Sequence, residues 1–123
     1  MALSYRELDM YQIAFDLFIK THNFSLELPK HELYELGSQL RRSSGSVNSN
    51  IVEGYVRKTY KNDFIKFLIY AHTSDDETSN HLKKLQILYP QFDNTIIELL
   101  KEYDILGAKI YKFKEYVIKS WKT

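Results

Sequence analysis

Several charged side chains in the middle of this sequence have a spacing that bears on metal binding. His72 and Asp76 are four residues apart, as are Glu77 and His81, and this spacing can place two metal ligands on one helix face. Di-iron bundles, however, need a Glu-x-x-His motif on each of two helices together with further carboxylates. The sequence has no second copy of such a motif, so it predicts no metal site.

Nucleophilic catalysis has equally little support in the sequence. The chain contains no cysteine, which excludes a thiolate nucleophile, a thiolate metal site and a disulfide. No serine is bracketed by glycines as in a hydrolase elbow, and no glycine-rich phosphate loop is present. We therefore expect a protein that is not an enzyme and that has neither a cofactor nor a small-molecule substrate.

The most unusual polar residues lie on one face of the second predicted helix. This polar ridge consists of Gln39, Arg42, Ser46, Asn50 and Glu53. Polar groups so aligned beside an apolar stripe favour a partly buried hydrogen-bonded network. Ser74 and Glu77 of the third helix would complete it, with an ion pair between Arg42 and Glu77. In the structural interpretation, which we favour, the ridge fixes helix register and subunit docking; in the functional one it forms a ligand-binding or catalytic groove.

Basic residues form three groups that bear on nucleic-acid binding. They are Arg41 and Arg42 in the second helix, Arg57, Lys58 and Lys61 in the connection after it, and Lys101, Lys109, Lys112 and Lys119 on one side of the last helix. Phosphate contacts add through counterion release, and Tyr55 and Tyr60 beside the connection could stack on bases. Against this, lysine commonly solvates helix faces, and the net charge is only +1, so affinity has to come from a local patch.

Four amphipathic helices are expected to position these residues. The first spans about residues 7–26, the second about 30–54, the third about 62–89, and the fourth starts after Asp93 or Asn94. Leu28-Pro29 and Pro90 separate helices because the residue before a proline is disfavoured in a helix. Gly54 is the predicted stop of the second helix, and Asp93 or Asn94 is a good N-cap for the fourth.

The middle of the second helix, residues 43–50, has the composition of a loop. The apolar phase nevertheless continues through it, from Leu36 and Leu40 to Val47 and Ile51. A loop has no reason to preserve helical phase. The sequence therefore predicts an uninterrupted helix.

The fourth helix has the most regular apolar period of the chain. Its apolar residues alternate by three and four: Ile96, Leu99, Tyr103, Leu106, Ile110, Phe113 and Val117. Such a heptad seam is typical of near-parallel packing in bundles, and short connections between long helices imply antiparallel neighbours. With only four glycines and two prolines in 123 residues, the chain is predicted to be all-α. We expect one domain over residues 1–123, an up-down-up-down antiparallel four-helix bundle.

Two helices carry a second apolar stripe outside the predicted core. The stripes are Leu8, Phe15 and Ile19 on the first helix and Leu100, Tyr111 and Ile118 on the fourth. Scattered apolar surface is ordinary, but contiguous exposed patches usually mark contacts, so we predict a homo-oligomer. No apolar run approaches the roughly 20 residues that cross a bilayer, and the N-terminal sequence resembles no signal peptide. We therefore expect a cytoplasmic protein without membrane contact.

The polar ridge lies within a recognisable motif. The motif comprises Gln39-Leu40-Arg41-Arg42-Ser43, Ser46-Val47 and Asn50-Ile51-Val52-Glu53-Gly54. It resembles the signature of the four helix bundle protein family, also called the 23S ribosomal RNA intervening-sequence protein family. Further matches are Leu28-Pro29, Glu32, Tyr34 and Leu36 upstream, and Phe64, Phe67-Leu68, Ala71, Ser74 and Glu77 downstream. Asp75-Asp76 departs from the pattern, since the family more often has apolar or small residues there.

The resemblance implies a small bacterial protein, often encoded within an insertion in the large ribosomal RNA gene. It also implies a ring-shaped homo-oligomer, commonly a pentamer. A related protein, the accessory factor of diversity-generating retroelements, works with a reverse transcriptase and nucleic acid. The resemblance thus implies an accessory factor that binds RNA or DNA. A protein–protein scaffold or adaptor without nucleic-acid binding is the alternative, which the sequence does not separate from the first.

Overall fold

The computed structural model describes residues 4–122 and contains, within that range, four long α-helices and no β-strand. The helices are α1 (Asp9–Ser25), α2 (Leu36–Val56), α3 (Lys61–Leu88) and α4 (Asp93–Ser120). The predicted all-α class is confirmed, while Met1–Leu3 and Thr123 of the predicted domain lie outside the described residues. Across residues 4–122, none of the helices has the length and apolar character required to cross a membrane.

The four helices enclose one hydrophobic core. α1 and α3 each pack against both α2 and α4. The fully buried side chains at the centre include Leu17, Leu40, Val47, Ile51, Phe64, Leu68, Leu82, Leu85, Ile96, Leu106 and Ile110. On α4 the buried Ile96, Leu99, Tyr103, Leu106 and Ile110 recur every three or four residues, so the apolar phase read from the sequence marks the core face.

Helix α2 continues through its serine-rich middle, as predicted. Val47 and Ile51 have no exposed surface, so the helix keeps its apolar phase across this segment. The buried hydroxyls of Ser43 and Ser44 donate to the carbonyls of Leu40 and Arg41, at 3.2 and 3.1 Å. Serine is tolerated inside a helix when its hydroxyl returns to the backbone in this way.

Two predicted helix signals have other roles in the structure. Gly54 does not end α2, which continues to Val56. A Cβ at Gly54 would lie 3.2 Å from the Cβ of Phe67, so the glycine allows α2 and α3 to approach closely. Asp93 is the first residue of α4 and not its cap; its carboxylate accepts a hydrogen bond from the Gln86 side chain at 2.9 Å.

Residues 30–34, predicted to begin the second helix, form a separate 3-10 segment, and α2 starts only at Leu36. Glu32 in this segment is buried, and its carboxylate accepts a 2.6 Å hydrogen bond from the Tyr89 hydroxyl. This bond raises the pKa of Tyr89 above its ordinary value. The segment is therefore tied to the end of α3, and it is separated from α2 by the non-helical backbone of Glu35, with φ −108° and ψ −115°.

Candidate functional site

A surface groove of about 290 Å³ between α2 and α3 is lined by polar residues from both helices. Its lining consists of Gln39, Arg42, Ser43 and Ser46 from α2 and Ser74, Glu77 and His81 from α3. We call it the α2–α3 groove. The structure thus brings three members of the polar ridge next to Ser74 and Glu77. The other two members, Asn50 and Glu53, lie further along α2.

The polar ridge is not a buried network. Gln39, Arg42 and Glu53 are exposed, and Ser46 and Asn50 are half-buried. Asn50 donates within its own helix to the Ser46 carbonyl at 2.9 Å. The expected ion pair is not formed, since no contact within 4.0 Å joins Arg42 to Glu77 in the described chain. The ridge lies at the rim of the α2–α3 contact, where water competes for polar groups.

The buried hydrogen bonds lie on the neighbouring faces of α2. Arg41, directly before Arg42, is half-buried. Its guanidinium donates to Ser25 Oγ at 2.9 Å and to the Leu33 carbonyl. A planar guanidinium suits two such acceptors at once. Arg41 therefore ties α2 to the end of α1, and two of its five N–H donors are engaged within the chain.

Two further pairs of buried hydroxyls continue these bonds through the interior. Thr78 donates to Ser43 Oγ at 2.8 Å, and Thr21 Oγ1 lies 2.6 Å from the Tyr103 hydroxyl. Burial raises the pKa of Tyr103 well above its ordinary value, so the phenol stays neutral. We call Ser25, Arg41, Ser43, Thr78, Thr21 and Tyr103 the polar seam.

His81 belongs to the α2–α3 groove, although the sequence suggested only a metal-binding role for it. Its Nδ1 is buried and has no hydrogen-bond partner. Burial and the nearby Lys84 lower the pKa of His81, against the opposing effect of Glu77. The neutral imidazole is thereby favoured and offers one N–H donor and one acceptor. Its spacing of four residues from Glu77 was the signal that places both on one helix face.

Neither candidate metal pair is completed by further ligands. Between residues 4 and 122, no three His, Cys, Asp or Glu side chains lie close enough to hold a metal ion. His72 and Asp76 line a different cavity, between α3 and α4. The lining of the α2–α3 groove therefore offers hydrogen-bond donors and acceptors.

The connection between α2 and α3 keeps an exposed aromatic ring among basic residues. Tyr60 is 70% exposed, whereas Tyr55 is 3% exposed and packs on Phe64. Of the two tyrosines predicted to stack on bases, Tyr55 is therefore unsuited to that role. Trp121 Nε1 donates to the Lys58 carbonyl at 3.0 Å, which holds the end of α4 against the connection.

The basic residues differ in how far they are neutralised. Arg57 pairs with Glu53 at 3.2 Å and with Asp63 at 3.6 Å. Lys58 Nζ lies 4.3 Å from the centroid of the Tyr55 ring. In the stripe on α4, Lys101 pairs with Glu98, Lys109 with Asp9 and Lys119 with Glu115. Because three of its four lysines are paired with carboxylates, the positive potential of the stripe is lower than its composition suggests. Lys112 of the stripe and Lys61 of the connection form no ion pair within the described range.

A family model described as the 23S rRNA-intervening sequence protein matches residues 6–112 of the chain. The matched range includes α1, α2 and α3, the whole α2–α3 groove and most of α4. No protein with a curated description matches the chain.

Proposed function

This chain belongs to the 23S rRNA-intervening sequence protein family, and on that premise we propose that it is a non-enzymatic accessory factor that binds RNA or DNA in the bacterial cytoplasm. The observation that carries the proposal is the connection between α2 and α3, with basic residues on both sides of the exposed Tyr60 ring. Ser43 of the groove also gives no support to hydrolysis, because it accepts a hydrogen bond from Thr78 and is not bonded to His81.

An exposed aromatic ring beside cations suits single-stranded nucleic acid. A base stacks on the ring, while lysine and arginine contact the phosphates on either side. Arg57, Lys58 and Lys61 flank Tyr60 in sequence. The bond from Trp121 to the Lys58 carbonyl brings the end of α4, with the exposed Lys122, to the same end of the molecule. This end therefore combines a stacking surface with several cations.

A binding titration against single-stranded RNA and DNA, structured RNA and duplex DNA tests this surface. The double variant Lys58→Glu with Lys61→Glu should weaken binding at least tenfold and reduce the salt dependence of affinity by roughly one unit per lost phosphate contact. Lys83→Glu with Lys84→Glu is the matched control, since it makes the same change in charge on two exposed residues further along α3. No binding by the parent at low salt, or equal losses in both variants, contradicts the proposal.

Tyr60→Ala separates stacking from charge at the same surface. Removing a stacking ring should cost about 1–3 kcal/mol of binding free energy per base and leave the salt dependence unchanged. The same titration, repeated at several salt concentrations, measures both quantities. Unchanged affinity would show that the exposed ring does not contact the nucleic acid.

For the assembly we propose a ring-shaped homo-oligomer, with five copies as the family resemblance implies. Phe15, Ile19, Tyr111 and Ile118 support it, because each is between 41% and 48% exposed. The other two residues of the apolar stripes, Leu8 and Leu100, pack partly against the core. Sedimentation at micromolar concentration should give a multiple of the 14.7 kDa chain mass. Ile19→Ser with Ile118→Ser should lower that mass, unlike the control Ile87→Ser with Leu88→Ser; a parent monomer contradicts the assembly.

For the topology we propose the up-down-up-down order with antiparallel neighbours. Two ion pairs between α1 and α4 support it. Asp9 lies 2.8 Å from Lys109, and Lys20 lies 2.9 Å from Glu102, so a step forward along α1 is a step backward along α4. Spin labels at Asp9→Cys with Lys109→Cys should be nearer each other than labels at Asp9→Cys with Glu98→Cys. The reverse order contradicts antiparallel packing.

A protein scaffold is the second candidate, and the α2–α3 groove favours it. Gln39, Arg42 and Glu77 are exposed there without an ion pair between the two charges, which suits a polar segment of a partner protein. Pull-down from a cell extract with and without nuclease separates the candidates. Partners retained after nuclease treatment favour the scaffold, and partners lost favour nucleic-acid binding.

A further inference from the structure

A second cavity, between α3 and α4, contains a buried carboxylate without a partner. The cavity measures about 420 Å³, opens to solvent and is lined by His72, Asp75, Asp76, Asp104, Gly107 and Tyr111, among others. Asp75 is 2% exposed, and its Oδ1 is buried without any hydrogen-bond partner. Since nearly all buried polar atoms in proteins are hydrogen-bonded, such an atom requires an explanation.

A glycine in helix α4 leaves space for the Asp75 carboxylate. Gly107 lies in the middle of α4, and a Cβ there would be 2.7 Å from Asp75 Oδ2. Any other residue would therefore push the carboxylate away or force the helices apart. Glycine is unfavourable inside a helix, and an unpaired carboxylate is unfavourable inside a protein. Gly107 and the Asp75 carboxylate are each unfavourable alone but fit against each other, which indicates a binding site.

The surroundings of Asp75 are predominantly acidic. The titratable groups around it are His72 and Asp76 from α3 and Tyr103, Asp104, Tyr111 and Lys112 from α4. Burial, and then the charges of Asp76 and Asp104, raise the pKa of Asp75 to about 8. Lys112 is the one lysine of the lining and is exposed. Three carboxyl groups thus face one lysine, and the cavity favours a cation.

We propose that this cavity binds a primary ammonium group of a small alkylamine, with Asp75 as the buried acceptor. An ammonium carries one positive charge and three N–H donors. The Asp75 carboxylate would accept one hydrogen bond after its side chain shifts toward the cavity, because Oδ1 has almost no accessible surface before binding, and Asp76 and Asp104 supply further carboxylates in the lining. Ala108 and Tyr111 supply apolar surface for the alkyl chain. The inference is independent of the nucleic-acid proposal.

The donor geometry favours an ammonium over a divalent metal ion. Calcium and magnesium need six or more oxygen ligands, and zinc needs three or four protein side chains. In the part of the chain that the structure describes, no three His, Asp or Glu side chains converge closely enough to coordinate an ion. An ammonium needs only hydrogen-bond acceptors in a negative surrounding, which the cavity provides.

Proton release should accompany binding. With a pKa of about 8, the Asp75 carboxyl is mostly protonated at pH 7, so the ammonium displaces a proton, which passes to the buffer. As the pH rises toward 8, the affinity should therefore increase by up to about tenfold per pH unit. Above pH 8 it should level off, as long as the amine itself stays protonated.

The test is a titration of the full chain with butylammonium and 1,4-diaminobutane in buffers that contain no primary amine. At pH 8.5 we expect saturable NMR shifts at the amides of Asp75 and Gly107. The diamine should bind roughly fivefold tighter than butylammonium, because its second ammonium group can form one exposed ion pair. A factor of about five is the upper end of what such a pair contributes. At pH 7, calorimetry in two buffers of different ionisation enthalpy should give close to one proton released per amine. Asp75→Asn should weaken binding at least tenfold, whereas the distant control Glu98→Gln should leave it unchanged.

Three results would overturn the proposal. The first is the absence of saturable shifts in the parent chain, or binding at pH 7 without proton release; neither measurement depends on a variant folding. The second is unchanged affinity in Asp75→Asn, which would place the amine elsewhere. The third is zinc or magnesium producing the same Asp75-dependent shifts at lower concentration than the amines, which would make the cavity a metal site.

Discussion

The polar seam and the α3–α4 cavity both contain buried polar groups, and the two regions differ in whether those groups have partners. In the seam, Thr21 pairs with Tyr103 at 2.6 Å and Thr78 with Ser43 at 2.8 Å. In the cavity, Oδ1 of the equally buried Asp75 has no partner. Paired hydroxyls fix one packing at little cost, whereas an unpaired carboxylate is destabilised. The contrast separates residues that hold the fold from a residue available to a ligand.

The largest expected effect is that of Asp75→Asn, which removes the charge and keeps the shape of the side chain. In this variant the free energy of unfolding should lose most of its dependence on pH. The folded pKa of about 8 lies above the ordinary 3.8, so the folded state favours the protonated carboxyl. That stabilisation is complete below pH 4 and is lost as the pH rises through about 8. From this group alone, the free energy of unfolding should fall by up to about 1.4 kcal/mol per pH unit between those values.

Urea unfolding at pH 5 and pH 8, in buffers without amines, measures this difference. Asp75→Asn should be much less sensitive to pH than the parent. Glu98→Gln is the matched control, because that carboxylate is exposed and is not among the charges that shift the pKa of Asp75, so it should change the pH dependence little. Parallel pH profiles for the parent and Asp75→Asn would mean that Asp75 ionises normally in the folded chain.

The next largest effect should come from Arg41→Ala in the polar seam. The substitution leaves Ser25 Oγ and the Leu33 carbonyl without their donor, and each hydrogen bond to a charged group contributes about 1.5–3 kcal/mol. We expect a loss of about 2–3 kcal/mol in the free energy of unfolding, measured in urea at neutral pH. Arg41→Lys should recover only part of it, because one ammonium does not reproduce the planar fork. A loss below about 0.5 kcal/mol would contradict the structural role of Arg41.

The apolar phase of the sequence predicted the helices well but not the two regions compared above. It predicted that α2 continues through residues 43–50, because Val47 and Ile51 keep the phase of Leu40. It did not show that Arg41 is held inside and Arg42 outside. Within a polar run there is no contrast in hydrophobicity to mark the buried face. The partners of Arg41 also lie on other segments, which a single helical pattern does not include.

Asp75 shows a different limit of sequence interpretation. The core face of α3 follows Phe64, Leu68 and Ala71, and the next step of that alternation by three and four falls on Asp75. The phase alone therefore puts Asp75 in the core. The residue type argued against that position, since aspartate is rarely buried unless paired. The feature that allows it is Gly107, on another helix, and a sequence without pairing information does not connect the two.

A smaller effect is expected for Tyr103→Phe, which removes one hydroxyl of the polar seam and leaves the ring. The Thr21 hydroxyl loses its 2.6 Å partner, which should cost about 1 kcal/mol in the free energy of unfolding. Tyr111→Phe is the matched control, since that ring is 48% exposed and should change stability little. The double variant with Thr21→Val should lose less than the sum of the single losses; additive losses would mean that the two hydroxyls are not coupled.

The smallest expected effect is that of Arg42→Ala, and it tests the comparison most directly. Arg42 is exposed and has no ion pair in the described chain, so its loss should change the free energy of unfolding by less than about 0.5 kcal/mol. Arg41→Ala is the matched variant, the same substitution one residue earlier. If both substitutions destabilise equally, the polar ridge is part of the structural network after all. If Arg42→Ala leaves stability unchanged but lowers the sedimentation mass or the retention of a partner, Arg42 acts in recognition at the α2–α3 groove.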